Sequence, residues 1–485
     1  MSLRRSALWS MATQYGSFLC QFASSVVISR FFLRPAEVGL FSIALAAAMM
    51  AAIFQDMGIS RFVTGQPDMR EAHVRDYAGV AVALGWLVAA GIALAALPLA
   101  WFYGEPGLAP LMLIIALAYA AMPLAIVPAA LLTRAMNFRV LFFANTGSAL
   151  LGAGASIGAA AAGAGPAALA WGMLTTTLTR LAVVQVARPV LPRRPRRAET
   201  VRPMLGFSGA SFAISLSGAI GMRSQDLIVG HLLGLFATGI FTRATALAGQ
   251  LSTLVVGALN AVFYPAFARK RDAGEDLAGP YLHLIACNTA LNWAAAAGLA
   301  AAAGPLVHLL YGPRWAEVAP LLRWTALAEM LFFAVPLQMD VPIMLGRIRS
   351  LVWINCLDTA ATVGILAAFC AWGVEAAAVS RLVAAGLWFV IYITFIGRLL
   401  HLPVAQLAGI YLRSGLCAAA AAAPLYGAVE GAWFGPTPGL PVLLGLGLCG
   451  AVAWLALLAL LRHPAWQEVR LALNLLPRPR ALQPG

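Results

Sequence analysis

Residues 350–398, SLVWINCLDTAATVGILAAFCAWGVEAAAVSRLVAAGLWFVIYITFIGR, hold two long apolar runs separated by little more than Trp372-Gly373. Each run, 350–372 and 374–397, is long enough as a helix to cross about 30 Å of hydrocarbon. In lipid, a lone segment can satisfy its backbone polar groups only by coiling into a helix. Arg347 and Arg349 precede the pair and Arg398 follows it, so a helical hairpin returns the chain to the side it came from.

The same pattern recurs along the chain. Apolar stretches lie at 8–33, 37–62, 77–102, 107–133, 139–163, 165–188, 205–231, 236–263, 281–304, 318–345, 407–429 and 438–461 as well. Of the 485 residues 62% are hydrophobic and 10% charged, far from the balance of a water-soluble domain. The first run follows Arg4-Arg5 but is too long for a signal peptide's apolar core, so it reads as a first membrane helix that is kept. The expectation is an all-α polytopic membrane protein of about fourteen transmembrane helices.

The formal charge is +14, yet the basic residues are scattered between apolar runs rather than gathered into a nucleic-acid face. Most fall in alternate loops: Arg61, Arg70 and Arg75; Arg134 and Arg139; Arg188 to Arg202; Arg269 to Arg271; Arg347 and Arg349; Arg398 and Arg413. That asymmetry places these loops and both termini in the cytoplasm. The densest run, Arg193-Arg194-Pro195-Arg196-Arg197, reads as a solvated linker that fixes topology, a gate being the sharper alternative. Cys20, Cys287, Cys356, Cys370, Cys417 and Cys449 lack metal-ligand spacing and read as packing residues.

Residues 28–44 and 228–244 match at an offset of 200, with Ile28/Ile228, Leu33/Leu233, Gly39/Gly239, Phe41/Phe241 and Ala44/Ala244 coinciding. Chance similarity in an Ala-rich chain competes with an internal repeat. A repeat of six helices predicts two bundles of parallel topology around a central cleft. The expected organisation is a six-helix bundle over 1–190, a basic cytoplasmic linker over 191–204, a second bundle over 205–400, and two further helices with a cytoplasmic tail over 401–485.

The first helix carries Ser10, Thr13, Gln14, Ser17, Gln21, Ser24 and Ser25 on one face. Such a stripe serves as interhelical glue or as a cavity wall. A matching face of Ser208, Ser211, Ser215, Arg223, Ser224, Gln225 and Asp226 in the seventh helix favours the cavity. Further charges within apolar runs are Asp56, Arg180, Arg243, Arg323, Glu329, Asp340, Asp358 and Arg381. Arg180, Arg323 and Asp340 read as structural, while Arg223 and Asp226 have the spacing to pair along one helix. Glu329 and Asp358 sit deepest, and a deep carboxylate can alternate between neutral and charged states. Pro123, Pro128, Pro336 and Pro342 mark breaks in the fourth and tenth helices, either hinges or packing kinks. No nucleotide loop, metal motif or catalytic constellation is recognisable, so neither an enzyme nor a cofactor is expected.

Several segments carry a family resemblance. They are Gln55-Asp56-Met57-Gly58, Arg223-Ser-Gln-Asp226-Leu-Ile-Val-Gly230, Gly239-Ile-Phe241-Thr-Arg243, Phe263-Tyr-Pro265 and Ala319-Pro320-Leu-Leu-Arg323. In these and in helix order the chain resembles the polysaccharide transporter, or oligosaccharide flippase, branch of the superfamily that includes multidrug and toxin extruders. The resemblance implies undecaprenyl-diphosphate-linked oligosaccharide as cargo, flipped outward by alternating access for exopolysaccharide or O-antigen export. With no ATP-binding segment in the sequence, ion-gradient coupling is the default. Partners would be the lipid-linked oligosaccharide, membrane lipids, and a polysaccharide polymerase and its assembly proteins, with no nucleic acid. Arg223, Asp226, Arg243, Gln14, Gln21 and Arg381 are the expected substrate-binding residues; Glu329, Asp358 and Asp56 are the expected ion-coupling residues. A drug/cation antiporter is the alternative, and a glycan polymerase or ligase is disfavoured by the short periplasmic loops.

Overall fold

The apolar runs become helices, as the backbone argument requires. The computed structural model describes residues 3–56, 59–65, 71–193, 209–435 and 438–475, and contains no strand among them. The side chains of residues 3–8, 10, 56, 61, 71–72, 209–215, 251–266 and 471–475 lie outside that description. Arg194 to Arg197 of the basic linker and Met57-Gly58 also fall outside it. In chain order the longer helices are α1 (Leu3–Phe31), α2 (Pro35–Asp56), α3 (Ile59–Gly65), α4 (Glu71–Tyr103), α5 (Leu108–Ala121) and α6 (Pro123–Arg134). There follow α7 (Phe138–Phe142), a π segment (Phe143–Gly147), α8 (Ser148–Ala161), α9 (Ala167–Ala187) and α10 (Gly209–Asp272). The rest are α11 (Ala278–Ala301), α12 (Ala303–Tyr311), α13 (Val318–Phe333), α14 (Asp340–Met344), α15 (Ile348–Cys370), α16 (Val374–Leu400), α17 (Val404–Glu430), α18 (Leu440–Leu460) and α19 (Ala465–Leu475).

Among the described residues ten helices are long and apolar enough to cross a membrane, or eleven if α5 and α6 count as one bent span. The expected fourteen are not reached by this measure, for physical reasons. The polar stripe lowers the hydropathy of α1, α13 is only 16 residues long, and α10 runs 64 residues without a gap in its assignment. Within α10, Gly234 has φ 85°, a conformation costly for any residue with a Cβ, and this is where the sequence placed the turn between the seventh and eighth helices.

The chain divides into two compact units, Met1–Thr242 and Arg243–Gly485. Inside the first unit the two repeated segments meet. A Cβ built on Gly39 would run into the Leu235 carbonyl, and one built on Gly239 would run into the Pro35 carbonyl. The contact is reciprocal, each glycine admitting the backbone beside the other. Small residues permit such close approach between helices in a membrane, where apolar burial gives helices no reason to prefer each other over lipid.

Each unit contains a broken helix whose freed carbonyls are taken up by side chains. In the first, α5 and α6 bend by 41° at Met122-Pro123. Gln55 Nε2 donates to the Tyr119 carbonyl (3.0 Å), Trp86 Nε1 to Ala120 (3.2 Å) and Gln185 Nε2 to Leu124 (3.0 Å). In the second, the chain leaves helical form between Phe333 and Asp340, across Pro336. There Trp293 Nε1 donates to the Met330 carbonyl (2.6 Å), Asn288 Nδ2 to Phe333, Tyr411 Oη to Ala334 (2.8 Å) and Tyr281 Oη to Pro336 (2.7 Å). A bare carbonyl in a water-free interior costs several kcal/mol. These donors make both breaks tolerable, and the breaks are the ones the prolines marked in the fourth and tenth helices.

Candidate functional site

Beside the break in the first unit lies a cavity of about 560 Å³, its polar wall formed by Gln55, Ser60, Tyr119, Thr176, Thr177 and Arg180. The bend at Pro123 turns α6 away from the α5 axis and leaves room between α2, α6 and α9. Thr176 and Thr177 stand one turn before Arg180 on α9, so the three share a face. Both hydroxyls donate within their own helix, to the Gly172 carbonyl (2.8 Å) and the Met173 carbonyl (3.0 Å), which leaves oxygen lone pairs toward the cavity. Arg180 Nε is buried and makes no hydrogen bond, and no carboxylate lies within 4.0 Å of its guanidinium among the described residues. Gln55 is 2% exposed, its amide nitrogen engaged at Tyr119 and its Oε1 buried with no donor.

The expected substrate cations are distributed differently from one another. Arg223 is half-buried in the first unit with no carboxylate within 4.0 Å among the described residues, so Arg223 and Asp226 do not close into an intrahelical pair. Asp226 Oδ1 accepts from Thr242 Oγ1 (3.0 Å). Arg243 belongs to the second unit, where its guanidinium lies 5.9 Å from the Tyr311 ring centre and 5.8 Å from that of Trp315, both rings buried. Cation–π attraction in a desolvated site helps offset the cost of burying that charge. Gln14 and Gln21 are exposed on α1, whereas Ser17 Oγ lies 3.4 Å from Thr146 Oγ1 of the π segment. The polar stripe of α1 is therefore split: Ser17 meets a neighbouring helix and the glutamines do not share that contact.

In the second unit an expected substrate residue and an expected coupling residue are each other's partners. Arg381 Nη2 lies 3.2 Å from Glu329 Oε1, with only 16% and 10% of the two side chains exposed. Asp358 is different: its Oδ1 is buried without a hydrogen bond on α15, one turn from Asn355, whose Oδ1 accepts from Tyr392 Oη (2.8 Å). Arg323 pairs with Glu430 (3.1 Å) at an exposed position. Asp56 ends α2, and its side chain lies outside the described residues.

A titrating group absent from the expected set lies just beyond the last long helix. His463 is 1% exposed; its Nδ1 accepts from the Ala465 N–H (3.2 Å) and its Nε2 lies 3.1 Å from Ser414 Oγ, which in turn is 2.8 Å from Thr289 Oγ1. Accepting at Nδ1 fixes the neutral ring with its proton on Nε2. Burial, and then the charge of Arg413, push this imidazole down from 6.5 to about 4. Among the described residues no group of three or more His, Cys, Asp or Glu could hold a metal ion.

These features belong to a recognisable lineage. The family of polysaccharide biosynthesis proteins matches residues 27–320, more than half of the chain. The chain belongs to that family. It is 26% identical over 373 residues to the succinoglycan biosynthesis transport protein ExoT of Rhizobium meliloti (strain 1021), spanning 76% of this chain and 74% of that one. It is 21% identical over 305 residues to the lipopolysaccharide biosynthesis protein WzxC of Escherichia coli (strain K12), spanning 61% and 60%. Among solved structures, the lipid II flippase MurJ in an inward closed conformation superposes with a TM-score of 0.76 at 12% identity, over 96% of this chain and 100% of that one. An inward-facing multidrug resistance MATE family transporter of the MOP superfamily gives a TM-score of 0.51 at 17% identity, over 82% and 96%. This member of the polysaccharide biosynthesis family is thus a multi-pass membrane protein with the fold seen in the flippase and MATE structures.

Proposed function

We propose that the chain carries undecaprenyl-diphosphate-linked oligosaccharide repeat units from the cytoplasmic to the periplasmic leaflet of a bacterial inner membrane, by alternating access coupled to an ion gradient. The observation that carries the reading is a pair of cations inside the first unit without a counter-charge. Arg180 and Arg223 have no carboxylate within 4.0 Å among the described residues. Placing a guanidinium in the hydrocarbon region costs about 2.5–3.5 kcal/mol on insertion scales, and it stays ionised there. A diphosphate supplies the missing anion and fits the planar fork of Arg. An antiporter of cationic drugs would need the opposite arrangement, carboxylates facing the cargo. The two relatives, a succinoglycan biosynthesis transport protein and a lipopolysaccharide biosynthesis protein, accord with a glycan cargo. Asp358, whose Oδ1 is buried without a hydrogen-bond donor, is the group best placed to take and release the coupling proton.

The test is reconstitution of the purified protein with a fluorescent polyprenyl-diphosphate oligosaccharide and, in parallel, with a cationic dye. Movement of the glycolipid between leaflets is expected. Transport of the dye alone would replace this reading with the drug/cation antiporter.

A further inference from the structure

Helices α16 and α17 are consecutive, joined only by His401 to Pro403, yet they do not pack together as a hairpin. Instead α16 packs chiefly on α13 and α15, and α17 on α11 and α18, so the two splay and leave a groove of about 480 Å³ between them. We propose that this groove binds one anionic phospholipid of the cytoplasmic leaflet, its phosphate at Arg398 and an acyl chain against Tyr411. The bound lipid steadies the helix break of the second unit.

The groove is amphipathic along its length. On α16 its lining runs from Arg398 and Thr394 at the loop end to Ile393 and Phe389 deeper in, and on α17 Ala408 leads down to Tyr411. Arg398 is exposed, and no carboxylate lies within 4.0 Å of it among the described residues. On the orientation expected from the basic loops, this end of the groove faces the cytoplasm, where cations beside membrane helices attract anionic head groups. A cation at the rim of an apolar slot matches a phosphate ester followed by hydrocarbon. A zwitterionic lipid brings its own ammonium, which competes with Arg398 for the phosphate.

Length favours an acyl chain. From Phe389 to Arg398 the groove follows α16 for roughly 13 Å, at about 1.5 Å of rise per residue. That is close to one leaflet's share of a hydrocarbon core about 30 Å thick. A single acyl chain fills this depth, whereas a long polyprenyl tail overruns it. Small residues keep the slot open: a Cβ on Gly397 would meet nothing within 4 Å, and Ala408 adds only a methyl group.

The floor ties the slot to the break. Tyr411 Oη donates to the Ala334 carbonyl (2.8 Å), while its ring stacks on Trp293 with 5.7 Å between centres and meets Phe389 edge-on at 5.5 Å. Trp293 in turn donates to the Met330 carbonyl of the same break. A chain packed on Tyr411 and Phe389 therefore restrains a donor that keeps the broken helix satisfied. It does so whichever cargo is carried.

The purified, delipidated full-length chain is titrated in detergent with phosphatidylglycerol and with phosphatidylethanolamine, and bound lipids are counted by native mass spectrometry. The wild-type protein is expected to hold one phosphatidylglycerol at least tenfold more tightly than phosphatidylethanolamine. Arg398→Gln should erase that preference, and Arg398→Lys should retain part of it. Ala408→Trp fills the slot without touching a charge; it should remove the tight site and covers the case of a misfolded Arg398→Gln protein. Phosphatidylglycerol should also slow the labelling of a cysteine placed at Leu337, a buried position in the break, and should lose that effect once Ala408→Trp is added. Slowing that survives Ala408→Trp overturns the link to the break. Equal binding of the two lipids by the wild-type protein, or a preference unchanged in both Arg398→Gln and Ala408→Trp, overturns the site. Displacement by equimolar farnesyl diphosphate overturns the phospholipid assignment in favour of a polyprenyl groove, and a lipid-free dimer overturns it in favour of a second copy of the chain.

Discussion

Arg381 and Glu329, 52 positions apart in sequence, form an ion pair at 3.2 Å between α16 and α13 with both side chains largely buried. The pair is worth little as a net source of stability, because desolvation offsets the attraction, but breaking it is costly. Glu329→Gln should lower the stability of the purified protein by about 3 kcal/mol, since a buried guanidinium loses its counter-charge. Arg381→Met combined with Glu329→Gln should recover most of that loss. Melting of the single and double variants in detergent checks it, and additive losses would refute the pairing.

Asp358 has no such partner among the described residues. Asp358→Asn should leave folding nearly intact and abolish the dependence of transport on the proton gradient, because the amide cannot alternate between charge states. Flux measured in proteoliposomes with and without an imposed pH difference decides the matter. A gradient response equal to wild type would exclude Asp358 as the coupling group.

His463 makes stability depend on pH in a definite direction. Its folded value, about 4, lies below the ordinary 6.5, so the unfolded chain takes up a proton before the folded one does. The site's contribution is complete above about pH 6.5 and is lost progressively as pH falls toward 4, by an amount on the order of 3 kcal/mol. Melting midpoints of the wild-type protein should fall across that window more steeply than those of His463→Asn. Parallel curves for the two proteins would show that the imidazole does not titrate as its surroundings dictate.

The donors at the second helix break can be removed one at a time. Tyr411→Phe leaves the Ala334 carbonyl without a partner and should cost about 1–3 kcal/mol. Tyr281→Phe should do the same at Pro336, with the two losses combining less than additively because both donors hold one break. Thermal stability and accessibility of a cysteine introduced at Leu337 give the two readouts.

Much of the fold was legible because hydropathy and proline are local signals. The turn at Gly234 and the breaks near Pro123 and Pro336 each lay where a run of apolar residues met a residue that cannot continue a helix. Pairings were not legible. Nothing in the spacing of Glu329 and Arg381 announces contact, so each was assigned a separate role. Arg180 was read as structural, although Thr176 and Thr177 one turn earlier on the same face hinted at a polar wall. The missing element was tertiary: the bend that opens space beside α9 is visible only once α5 and α6 are placed. Gln55 shows the same limit, since a lone amide in a helix end says nothing of the carbonyl 64 residues away that it satisfies.

The reciprocal contact of Gly39 with the Leu235 carbonyl and Gly239 with the Pro35 carbonyl constrains how this chain can vary at both positions. Each missing side chain faces main chain, which no substitution can shorten, so an enlargement at one position has no compensating mutation at the other. The two segments are tied together at this point whatever changes elsewhere. Relatives should therefore keep both glycines or lose both in a single repacking, a pattern of paired inheritance that an alignment of relatives would display.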